Sequence, residues 1–62
     1  MPLYEVAIIE EGKDDELDTL VVEPEFVIGK SKASVERLAL LDNADAIKSR
    51  DVDRIEVLVR DF

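Results

Sequence analysis

The stretch Glu10 to Asp18, EEGKDDELD, places six carboxylates and one lysine in nine residues, between the apolar segments YEVAII and TLVV. Oxygen atoms at that density suggest three uses: ligands for a hard cation, a surface offered to a basic partner, or a hydrated turn. A calcium loop of the EF-hand kind draws ligands from alternate positions, with a central glycine, a terminal glutamate and helices on both sides. Here Gly12 comes too early, the acids are bunched, and the neighbouring segments read as strands. No metal ligands are therefore assigned. Mimicry of nucleic acid asks for acids spread in rows over a face. In this chain they gather at Glu10 to Asp18 and Asp42 to Asp53, with Arg37, Arg50, Arg54 and Arg60 interspersed. A solvated hairpin loop, whose charges keep strand ends from pairing with other chains, accounts for the segment best.

Catalytic chemistry has few residues to draw on. With no His and no Cys, a nucleophilic mechanism would rest on Ser31, Ser34 or Ser49 activated by a lysine, and acid–base work on a carboxylate pair acting on a sugar. Ser31 and Ser34 are better explained as helix-start residues. Carboxylate pairs arise by composition alone when sixteen of 62 residues are acidic, and a domain this small offers little concavity to desolvate one. No set of nucleophile, base and orienting group is present. The expectation is a protein that is not an enzyme, with no catalytic residues and no cofactor.

Composition narrows the field further. A net charge of −8, sixteen acids against eight bases, opposes direct nucleic-acid binding, which rests on clustered Lys and Arg. Tyr4, Phe26 and Phe62 are too few for a base-stacking platform. Apolar runs reach only four residues, so neither a membrane span nor a signal peptide is expected. Disulfides and thiolate metal sites are excluded by the lack of cysteine. What remains is one domain, residues 1–62, without covalent staples. Domains of this size usually need very good packing, oligomerisation or docking on something larger.

The elements can be read from patterning. Leu3 to Ile9, LYEVAII, is β-branched and apolar on both parities except at Glu5, as in an interior strand. Thr19 to Glu23 is a second strand, interrupted by Pro24, which belongs at an edge or a bulge; FVIGK from Phe26 resumes it until Gly29. Ser31 is the expected N-cap of a helix over KASVERLALLDN, with Val35, Leu38 and Leu41 as its buried stripe and Glu36 and Arg37 in water. Asn43 either stops this helix or caps a short turn, ADAIK, that returns Ile47 to the core. After the turn-like SRDVD, Arg54 to Arg60 alternates, with Ile55, Val57 and Val59 on one face.

The fold expected is α+β: a small antiparallel sheet of three to four strands with one helix on one face, in ββαβ order, and the first strand in the middle. Tyr4, Val6 and Ile8 then point inward. Ala7, Ile9 and Leu58 point outward among Glu5, Glu56, Arg54 and Arg60. An open sheet face is normally polar, and this one is only partly so. Two readings stand: a solvated face with cross-strand Arg–Glu pairs, or a surface that a second copy or a larger partner covers. Residues expected to bind a partner are Ala7, Ile9, Val21, Phe26, Leu58, Arg60 and Phe62.

At its two ends, YEVAIIE from Tyr4 and DVDRIEVLVRDF from Asp51, the chain resembles short, mostly uncharacterised proteins of tailed bacteriophages. They too open on a Tyr-Glu-Val strand and close on an Arg-x-Glu-Val-Leu-Val-Arg-x-Phe strand. The resemblance implies a viral origin, synthesis in the cytoplasm of the host cell and residence in the virion. It implies a structural role, as a capsid decoration or cement-type protein docked on a larger assembly. The alternative is a free acidic protein that binds and inhibits a basic host factor. No functional residue is carried over by it.

Overall fold

Leu3 to Glu10 forms β1, and its apolarity on both parities places it in the middle of the sheet. The structure, a computed structural model, describes residues 2–62. A ten-residue strand, β2 (Thr19–Ile28), pairs antiparallel on one side of β1, and β3 (Ile55–Asp61) pairs antiparallel on the other. The strand order is β2-β1-β3. Between β2 and β3 run α1 (Lys32–Asp42), a short α2 (Ala44–Lys48) and a single 3-10 turn (Val52–Arg54). The architecture is α+β, as expected, with three strands. The expected ββαβ order with one helix is corrected: the return connection holds a second helix and a 3-10 turn. Asn43 serves as both the C-cap of α1 and the N-cap of α2.

Pro24 does not divide the second strand. Because β2 is an edge strand, a missing N–H costs no ladder bond on its open side, and the strand absorbs the proline with two register shifts. Ile9 pairs with Leu20 and Ile8 with Val22, which leaves Val21 as an extra residue; Val6 pairs with Glu25, which leaves Glu23 and Pro24 opposite Ala7 alone. The two shifts together restore parity, so Leu20, Phe26 and Ile28 share a face. The pairing of β1 with β3 runs without a break from Tyr4↔Asp61 to Glu10↔Ile55.

The core is small: Tyr4, Val6, Ile8, Val35 and Ile47 are buried, with Val27, Ala39, Val57 and Val59 packed around them. Ser31 caps α1 as its position suggested. Its hydroxyl accepts from the Ser34 N–H, and the Ser34 hydroxyl oxygen accepts in return from the Ser31 N–H, each at 3.2 Å. The buried stripe of α1 differs from expectation. Val35 is buried and Ala39 half-buried, whereas Leu38 is 48% and Leu41 67% exposed. Val35 packs against Gly29 in the connection from β2, where an added Cβ would lie 2.3 Å from Val35 Cγ2, and this contact helps fix which side of α1 faces the core. α1 lies over β1 and β3, so the β2 side of that face is left as a groove of about 180 Å³, lined by Val6, Ile8, Val22, Val27, Leu38 and the carboxylates of Glu25 and Asp42.

Candidate binding face

The face of the sheet away from α1 follows from register. Residues paired across an antiparallel ladder share a side, so Leu3, Glu5, Ala7 and Ile9 of β1 are joined there by Ile28, Phe26 and Leu20 of β2 and by Arg60, Leu58 and Glu56 of β3. The Phe62 N–H donates to the Leu3 carbonyl at 3.1 Å, which continues the β3 register by one residue and puts the last side chain on the same side. Phe26 and Phe62 meet over β1, edge to face, with ring centroids 4.8 Å apart. No helix covers them: Phe26 is 58% and Phe62 78% exposed, and Leu20, Ile28 and Leu58 are also exposed. Arg60 pairs with Glu5 on this face.

Of the residues expected to bind a partner, the register brings Phe26, Leu58, Arg60 and Phe62 to this face as exposed side chains, and Ile9 as a half-buried one. Ala7 points to the same side but is only 8% exposed. A methyl group is shorter than its neighbours, so it forms the floor of a shallow depression between Glu5, Pro24, Leu58 and Arg60. Val21, the extra residue of the first register shift, is half-buried and lies outside the cluster. Leu3, Leu20 and Ile28 belong to the face and were missed. The parity shared by Phe26 and Ile28 was the available signal for the last of these; Leu20 follows only once both register shifts are known.

The acidic segment is an ordered turn. The Gly12 N–H donates to Asp18 Oδ1 at 3.0 Å, the Glu16 N–H to the Lys13 carbonyl at 2.8 Å, and Asp14 adopts φ 51°. Aspartate is among the residues that tolerate this left-handed conformation. Glu10 does not face water alone: its carboxylate accepts from Arg50 Nη1 at 3.3 Å and from the Asp51 N–H at 3.1 Å, which ties the start of the turn to the segment entering β3. Among the described residues, no three acids converge in a metal-binding arrangement. Glu56 is different. A hydrogen bond to the Glu11 side chain that its protonated form can make, partial desolvation and the charges of Glu11 and Asp18 raise its pKa above the ordinary glutamate value.

Comparison with protein-family models, with curated proteins and with solved structures gives no match to this chain. No helix among the described residues is long and apolar enough to cross a membrane.

Proposed function

We propose that this chain acts by binding, without catalysis, and that it docks through the uncovered sheet face onto a larger protein assembly. The observation that carries this reading is the set of exposed apolar side chains Phe26, Phe62, Ile28, Leu58 and Leu20 on one face of a chain whose core is itself small. Soluble monomers rarely expose contiguous apolar patches beyond a few hundred Å² without a binding role. Aromatic residues beside an arginine are also the composition favoured at interface centres. The Glu5–Arg60 pair among them adds directional polar contact to a surface otherwise read by shape.

The resemblance at the two termini supplies the kind of assembly: a tailed-phage virion, on which the chain would sit in repeated copies as a decoration or cement-type protein. Docking also answers the deficit left by a small core, since a partner that binds only the folded state stabilises it. The test is copurification with particles across a salt series. Retention at high copy number that survives high salt is expected, because apolar burial is not screened. Association that collapses with salt would instead support a free acidic inhibitor of a basic host factor, and absence from particles would contradict the virion reading.

A further inference from the structure

The two edges of the sheet are not alike. β2 is blunted by Pro24 and by two register shifts, the usual devices that keep an edge from pairing with another chain. β3 has neither: its seven residues contain no proline, and its register with β1 is unbroken. Its backbone groups alternate in direction. The Arg54 carbonyl accepts from the Glu11 N–H at 2.8 Å, and the Phe62 N–H donates to the Leu3 carbonyl at 3.1 Å. Even-numbered residues of this strand therefore bond toward β1, and Val57, Val59 and Asp61 turn their N–H and C=O groups to the open side. Among the described residues, no backbone group of another element meets those three there.

We propose that two copies of this chain pair antiparallel through β3, centred on Leu58, to form one continuous six-stranded sheet. The side chains select this register. A two-fold axis at Leu58 sets Val57 opposite Val59 of the second copy on the helix side, and Glu56 opposite Arg60 of the second copy on the other side, twice over. Centring at Val57 would place Arg54 against Arg60 of the second copy, and centring at Val59 would place Glu56 against Phe62 and Val57 against Asp61. The Leu58 register sets Ile55 opposite Asp61 and Arg54 opposite Phe62 at its two ends, but of the three it alone matches opposite charges and apolar pairs across the central five positions. Glu56 is also exposed and available to a cation. It lies against Glu11 and Asp18 with no ion pair among the described residues, and Arg60 meets Glu5 through Nε, which leaves the terminal guanidinium nitrogens for a second carboxylate.

The mass in solution tests this, read by sedimentation equilibrium over a concentration series. The native chain is expected at twice its 7.0 kDa. Glu56→Arg sets like charges opposite each other at both contacts, and the dissociation constant is expected to rise about a hundredfold or more. Arg60→Glu is expected to do the same. Mixed in equal amounts, the two variants set an arginine of one chain against a glutamate of the other at both contacts, and the double mass should return. Asp61→Pro removes an N–H that bonds nothing in the monomer and takes no side chain from the core, so it should stay folded by circular dichroism with a weakened dimer. A native chain that stays at single mass overturns the proposal. So does a dimer that neither Glu56→Arg nor Asp61→Pro weakens, and so does a mixture that fails to reassociate. Phe26→Glu, on the proposed docking face and away from the β3 edge, should leave the dimer intact, which separates this proposal from that of docking.

Discussion

Glu56 shows how a single position on a strand can be set by elements far away in sequence. The alternation of RIEVLVR places it on the outer face, but only the fold brings Glu11 and Asp18 beside it. With a folded-state pKa above that of the unfolded chain, Glu56 favours folding while protonated. That contribution is complete below the unfolded value of about 4.3 and is lost as pH rises through the raised value. Glu56→Gln should therefore flatten the pH dependence of stability in this acidic window and leave the protein more stable than the native chain at neutral pH. Urea midpoints measured against pH, at concentrations low enough to keep the chain monomeric, check this. A native profile already flat in that window would show that the three carboxylates do not crowd one another. Glu10 makes the complementary point: in sequence it is one acid among six, and in the fold it is the clamp on Arg50 and Asp51. Nothing in its local pattern marks it apart from Glu11.

At the scale of elements, the strands were more legible than the helix. The two-sided apolarity of LYEVAII gave the central strand, and the alternation of RIEVLVR gave the half-buried edge, because a period of two leaves little choice of face. In α1, KASVERLALLD, the spacing admits two stripes: Val35, Leu38 and Leu41, or Val35 and Ala39. Hydrophobicity favours the first, whereas the fold, with α1 over β1 and β3, buries the second. Val35→Ala should then cost about 2 kcal/mol, read as a shift in thermal or urea midpoint. Leu41→Ala should cost well under half of that, since its side chain is mostly in water. Equal costs would place Leu41 in the core and contradict the packing described. The continuity of β2 through Pro24 was hidden for a related reason: whether a proline breaks a strand depends on which side of the sheet lies open, and local sequence does not carry that information.

For the molecule as a whole, the deciding feature is the imbalance between what is buried and what is not. One helix covers part of one side of the three-stranded sheet, and the other side presents Phe26 and Phe62 in contact over β1. The resemblance and the small size suggested a docked protein. The aromatic pair on the docking face could not be read from sequence, because residues 26 and 62 meet only through the registers of both edge strands with β1. Fully burying a phenylalanine side chain is worth about 1.5 to 3 kcal/mol, and Phe26, 58% exposed, keeps roughly half of that for docking; losing it and burying a charge in its place is enough to abolish docking while the fold persists. The most direct measurement is therefore quantitative mass spectrometry of particles washed at high salt, carrying either the native chain or Phe26→Glu, with the circular dichroism of both proteins recorded alongside. The account predicts many retained copies of the native chain and loss of the variant, with unchanged spectra. Equal retention of the two, or no retention of the native chain, would contradict it.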